Sequence, residues 1–281
     1  MHSTHTIPLP NRPPLVLGPT ALVMGILNVT PDSFSDGGRH HQVDAAVRQA
    51  RAMIDEGADI IDVGGESTRP GATPVGVQEE LDRVMPVLDA LRAAGITTPI
   101  SIDTSKPLVA DQAIQAGAAI INDVRGLQGE PDMARIAALY TVPVIAMHWE
   151  AQRDPSVPLA EAMQAYFDRT LSMADKAGLD AGQVILDPGF GFGKSLAENY
   201  AVLANLRNHI AKNPILVGTS RKSMIGKLLG NEPAERLAGT IATTVIGYLG
   251  GGHIFRVHDV RANRDALRIA QASLYGPEIQ P

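Results

Sequence analysis

Short apolar runs alternate with longer helical patterns from about residue 22 to residue 270, and this alternation constrains the fold more than any other feature of the chain. The runs predict strands at 22–27, 59–63, 99–102, 119–121, 142–147, 184–186, 215–217 and 253–257. The stretches between them predict helices at 43–56, 77–94, 107–116, 132–139, 159–177, 197–210, 234–249 and 261–270. Strictly alternating units mean a parallel sheet covered by helices. An open doubly wound sheet would satisfy the alternation too. The count favours closure, because about eight strands make a barrel whose interior side chains just fill it. The expected fold is therefore α/β, a single (β/α)8 TIM barrel. A length of 281 residues and an apolar fraction of 44% suit one such core. No shift in composition marks a second domain, so the expected organisation is an N-terminal extension at 1–19, the barrel at 20–275 and a tail at 276–281.

The polar residues gather at one end of the strands. Following the chain, the strand ends deliver Asn28, Glu66, Asp103, Asn122 with Asp123, His148, Asp187, Ser220 to Lys222, and Arg256 with His258. The strand starts carry helix-stop and turn residues instead, such as Gly57, Gly95, Gly117 and Gly178. In a barrel of this kind the C-terminal rim holds the active site. Asp123 or His148 alone would read as a satisfied structural group. The convergence of the whole set on one mouth argues for a site.

Within that set, the run 184–194 ends abruptly in Asp187 and then in glycines. A carboxylate at the edge of a core persists only if something donates hydrogen bonds to it, and a flat heterocycle with adjacent N–H groups is a suitable donor. The same run is not a phosphate loop, because Pro188 stands where that pattern needs glycine. Nor do its glycines match the dinucleotide fingerprint. The first rim loop, 28–38, is long and hydroxyl-rich, and its double glycine and Phe34 suit a lid that orders over a ligand. In the second, 64–71, Arg69 precedes Pro70 and is held extended, pointing a cation at the mouth. Residues 220–223 open a short helix after a strand, an arrangement that receives carboxylate or phosphate. Arg256 and His258 share one face of their strand, a pair suited to a diphosphate.

A net charge of −6 with scattered Lys and Arg argues against a nucleic-acid surface. The chain has no cysteine, which excludes a thiolate nucleophile and fits a cytoplasmic location. Residues 1–19 lack the apolar segment of a signal peptide, and no run is long enough to span a membrane.

The motifs MGILNVTPDSFSDGG at 24–38, GGESTRPG at 64–71, SIDT at 101–104, INDVR at 121–125, LDPGFGFGK at 186–194, SRKS at 220–223 and RVHD at 256–259 resemble those of the dihydropteroate synthases. The resemblance runs in order from about residue 22 to 270. It implies an enzyme that joins para-aminobenzoate to 6-hydroxymethyl-7,8-dihydropterin diphosphate and expels diphosphate with the help of Mg²⁺. By the same resemblance the reaction is dissociative, through a pterin cation. It implies catalytic roles for Asp103, Asp187 and Lys222. Thr68, Asp103, Asn122, Met147, Asp187, Phe192, Lys222, Arg256 and His258 would bind the pterin diphosphate. Phe34, Thr68, Arg69, Pro70, Lys222 and Ser223 would surround para-aminobenzoate, and Asn28 would be the Mg²⁺ ligand.

One departure stands out: after Met147 and His148 the family often continues with Met, Gln and Gly, whereas this chain has WEAQR at 149–153. The loops altered in sulfonamide-insensitive variants are intact, so sensitivity is expected. The helix at 237–249 is apolar or small nearly all round, which fits core packing or, as the resemblance favours, a homodimer face. The competing readings are a methyltransferase passing a methyl group from a reduced folate to a corrinoid protein, and a pterin-binding homologue without catalysis. The former would share Asp103, Asn122 and Asp187 but have no use for Asn28, Arg256 and His258.

Overall fold

The computed structural model describes residues 2–30, 39–67, 73–150, 152–210 and 212–278. After an N-terminal hairpin of β1 (His5–Leu9) and β2 (Arg12–Leu17), the chain alternates strands and helices. These are β3 (Leu22–Asn28), α1 (Arg39–Asp55), β4 (Ile60–Gly64), α2 (Val77–Ala93), β5 (Ile100–Asp103), α3 (Pro107–Gln115), β6 (Ile120–Asp123) and α4 (Asp132–Tyr140). They continue with β7 (Val144–Met147), α5 (Leu159–Ala177), β8 (Val184–Asp187), α6 (Leu196–Ala204), α7 (Leu206–His209), β9 (Leu216–Val217), α8 (Ser223–Leu229), α9 (Leu237–Leu249), β10 (Ile254–Val257) and α10 (Val260–Tyr275).

The strands from β3 onward form one eight-stranded sheet in the order β8-β7-β6-β5-β4-β3-β10-β9. A parallel bridge between Leu186 and Ile215, with Leu186 N donating to Pro214 O at 2.9 Å, brings β9 back to β8 and closes the ring. The expected barrel is what the chain forms. Every residue of β4 to β8 is buried, as strands covered on both faces require. Val23, Ile61, Val63, Ile102 and Ile121 belong to a layer packed under the helices. Their neighbours Met24, Ile60, Ile120, Ile145 and Ile185 belong to a second cluster, inside the ring. Period-two alternation sorts the side chains between these layers.

The hairpin was not among the expected elements. Its prolines make 1–19 read as an irregular lead-in, yet Ile7 and Leu9 alternate with exposed positions, as do Leu15 and Leu17. These four side chains join the inner cluster and plug the lower end of the barrel. Asn11, at φ 55°, takes the left-handed conformation that lets the chain reverse between the strands. The expected helix at 197–210 is divided into α6 and α7, because Asn205 leaves the helical region at φ −136° and ψ 39°. Among the described residues, no helix is long and apolar enough to cross a membrane.

Candidate active site

Asp103, at the end of β5, and Asn122, one residue before the end of β6, are direct neighbours in register, and Gly64 of β4 lies on the other side of Asp103. Opposite them Arg256 rises from β10. Its Nε donates to Asp62 Oδ2 at 2.6 Å and its Nη2 to Asp103 Oδ2 at 2.7 Å. Asn122 Nδ2 donates to the same Asp62 oxygen at 3.1 Å. The second oxygen of each carboxylate is buried without a hydrogen-bond partner, leaving acceptors for a ligand. Burial pushes Asp103 up to about 7 against the pull of Arg256, with the Asp62 charge adding to the rise. Burial would lower the Arg256 pKa, but the Asp62 and Asp103 carboxylates overcome it and raise that pKa above its ordinary value.

Asp62 was not among the expected site residues. An acid inside the apolar run 59–63 was itself a signal, since a fully buried carboxylate needs a cation.

Across the mouth, Asp187 ends β8 and accepts from Gly189 N at 2.7 Å. Burial raises its pKa while the Lys222 charge opposes the rise. Burial likewise lowers Lys222 to about 8, opposed by Asp187. The two groups converge over Gly218, where an added Cβ would lie 3.8 Å from both Asp187 Oδ2 and Lys222 Nζ. Lys222 Nζ also donates to Phe190 O at 2.6 Å and lies 4.8 Å from the ring centre of Phe192. Met147 is buried at the end of β7, its side chain against Gly189. Gly189 has φ +69° with His148 O directly beside it, so no larger residue fits the turn that carries the glycines past Asp187.

Lys194 had no expected role. Its Nζ donates to His148 Nδ1 at 2.9 Å, Gly189 O at 3.0 Å and Phe192 O at 3.2 Å, tying the loop after β8 to the end of β7. Burial lowers Lys194 to about 7 and His148 to about 3, so the imidazole is neutral and serves as a strut. Asp123 is structural as well: its carboxylate accepts from Arg125 N at 2.8 Å and Leu127 N at 2.7 Å, closing its own turn. A further half-buried group that sequence reasoning missed is Lys106, which bridges Glu66 and the buried Glu80. Glu66 in turn accepts from Val75 N at 3.1 Å, which joins the two sides of the second rim loop.

Ser220, Lys222 and Ser223 lie where β9 passes into α8, with Lys222 as the N-cap and Ser223 exposed at the first turn. Arg221 between them takes φ +56° and is held by a fork to Asp259 at 3.0 and 2.6 Å. Ser220 Oγ lies 3.0 Å from His258 Nδ1, so His258 is brought beside the same turn. Asn28 closes β3, half-buried and in register with Gly64. It offers a neutral amide oxygen at the rim. Among the described residues there is no cluster of three or more His, Cys, Asp or Glu that could hold a metal ion. A single amide oxygen such as that of Asn28 fits Mg²⁺, which keeps several waters and is usually bound with substrate phosphates rather than in an all-protein cage. Phe34, Thr68, Arg69 and Pro70 lie outside the described residues.

Residues 24–258 match the family described as pterin binding enzyme. The dihydropteroate synthase of Escherichia coli K12 is 49% identical over 263 residues, covering 91% of this chain and 93% of that one. The structure of the Xanthomonas albilineans dihydropteroate synthase with 4-aminobenzoic acid superposes with a TM-score of 0.86 at 44% identity, covering 92% and 96% of the two chains. The Yersinia pestis enzyme in complex with a sulfonamide drug gives 0.86 at 44%, covering 96% and 99%. The Burkholderia cenocepacia enzyme complexed with 7,8-dihydropteroate gives 0.85 at 37%, covering 96% of each.

Proposed function

The chain belongs to the pterin-binding enzymes, on their dihydropteroate synthase side, and we propose that it condenses 6-hydroxymethyl-7,8-dihydropterin diphosphate with para-aminobenzoate. The products are 7,8-dihydropteroate and diphosphate. The observation that carries this reading is the pair of charged arrays facing each other across one mouth: Asp187 with Lys222, and Asp62 and Asp103 with Arg256.

An aromatic amine is a weak nucleophile and far too weak an acid for a side chain to deprotonate. Stabilising the pterin cation and the departing diphosphate lowers the barrier instead. The methylene C–O bond breaks first and both its electrons leave with the diphosphate. The nitrogen of para-aminobenzoate then bonds to the methylene carbon and loses a proton. Asp187 accepts from the amino and ring N–H groups of the pterin, Asn122 and Lys222 meet other edges of the ring, and Met147 and Phe192 flank it. Asp103 places negative charge near the forming cation. Arg256 and His258 receive the diphosphate, and the start of α8 at Ser223, with Lys222, receives the carboxylate of para-aminobenzoate. Asn28 would hold Mg²⁺, which when bound neutralises charge on the leaving group. By the resemblance, Thr68, Arg69, Pro70 and Phe34, which lie outside the described residues, would contact para-aminobenzoate.

Exposed Ile246 and Leu249 on α9 support a homodimer, since they leave an apolar strip on the outside of the barrel. A cysteine-free chain accords with a cytoplasmic location. The direct test is formation of 7,8-dihydropteroate from the two substrates with Mg²⁺, repeated with Asp187→Ala and Lys222→Ala. The wild type should turn over and each variant should lose at least about a hundredfold in kcat/KM, the scale on which removing one charge-stabilising donor acts. Pterin binding with no product from the wild type would contradict the reading.

A further inference from the structure

Trp149 is the only tryptophan of the chain. It follows His148 at the end of β7 and is half-buried. The Arg125 guanidinium lies 4.0 Å from the centre of its ring. Against the same ring leans Phe192, at 5.4 Å between centroids and an interplanar angle of 57°. Phe192 in turn carries Lys222 Nζ at 4.8 Å. Arg125, Trp149, Phe192 and Lys222 therefore form one continuous stack from the loop after β6 to the start of α8.

Two further contacts fix the backbone on either side of this stack. A Cβ on Gly193 would lie 3.0 Å from Glu150 O at a φ of +60°, so glycine suits this close approach of the two loops. Arg153 pairs with Glu198 in the first turn of α6. The indole is thus held on its own side, by Arg125 and by these loop contacts. Phe192 belongs to a glycine-flanked turn, with φ +81° at Gly191 and +60° at Gly193. Phe192 N donates to Gly189 O at 3.2 Å and Phe192 O accepts from Lys194 Nζ at 3.2 Å, which holds the backbone of the turn but not the direction of the ring. The tryptophan supplies that direction.

We infer that Trp149 is a positioning residue for the pterin slot: it braces Phe192 so that the phenyl ring stands ready beside the incoming pterin. The inference rests on the reading above in which Phe192 flanks the pterin. Aromatic pairs of this geometry contribute beyond their buried area, and here the contribution goes to holding one ring in the binding orientation before substrate arrives.

The test is a double-mutant cycle in the Mg²⁺-loaded enzyme, with KM measured separately for each substrate. Trp149→Ala should raise KM for the dihydropterin diphosphate by about threefold to tenfold, the range such a ring pair accounts for, and leave KM for para-aminobenzoate unchanged. Trp149→Phe should restore most of the loss. Because Trp149 acts through Phe192, Trp149→Ala should add nothing further to the Phe192→Ala enzyme. A full additive effect in the double variant would overturn the inference and leave the role of Phe192 intact. An unchanged pterin KM in Phe192→Ala would instead remove the reading on which the inference rests, and the inference with it. Equal rises in both KM values in Trp149→Ala would mark a general structural loss and would also overturn it.

Discussion

At the mouth of the barrel Asp103 shares the Arg256 guanidinium with Asp62, whose charge adds to the rise of the Asp103 pKa. Asp103 is pushed up to about 7 by burial, and Lys222 is lowered to about 8 by the same cause. The raised carboxyl group carries its charge only above about pH 7, and the depressed ammonium keeps its proton only below about pH 8. The kcat/KM for the pterin diphosphate should therefore follow a narrow bell, falling on the acid side as Asp103 protonates and on the alkaline side as Lys222 deprotonates. Asp103→Asn should remove the acid limb from whatever activity remains. A profile that is flat from pH 6 to 9 would contradict both assignments. Asp103, Asn122 and Asp187 were legible in the sequence because each stands at the C-terminal end of an apolar run, Arg256 because it interrupts one, and Lys222 because it precedes the short helix that follows one. Asp62 and Lys194 were not singled out. The first sits within a run and the second after it, and their importance comes from partners distant in sequence, Arg256 and His148.

Among the elements, the eight barrel strands were legible because their apolar runs are short and bounded by helix stops, as at Gly178, which ends α5 with φ 85°. The hairpin of β1 and β2 was hidden by its prolines, which sit beside the buried positions rather than on them. Its Ile7 and Leu17 are fully buried in the floor of the barrel, at the end opposite the strand termini that carry the site. Leu17→Ala should cost about 2–5 kcal/mol of stability in denaturant melts, as a buried leucine cavity does. The kcat/KM of the folded fraction should stay within about twofold, because the deleted atoms are remote from the rim. A large fall in kcat/KM without loss of stability would show that the plug and the site are coupled.

For the whole molecule, the outside of the barrel is not uniformly polar. Ile246 and Leu249 on α9 are 46% and 56% exposed, and Ile269 and Leu274 on the adjoining α10 are 72% and 51% exposed. In the homodimer proposed above, a second copy would cover α9, whose sequence is apolar or small nearly all round. Ile246→Glu should then shift the species seen by light scattering from dimer to monomer, and a wild type that scatters as a monomer at all concentrations would contradict the homodimer.

In the mechanism proposed above, the facing carboxylates and cations of the rim stabilise a pterin cation after diphosphate has begun to leave. The most direct test compares kcat/KM for pterin diphosphate carrying two hydrogens or two deuteriums on the reacting methylene carbon. Rehybridisation of that carbon toward a trigonal cation predicts a clear normal isotope effect that is insensitive to the nucleophilicity of the arylamine. An effect at unity, with a rate that rises steeply with arylamine basicity, would mean direct displacement and contradict the account.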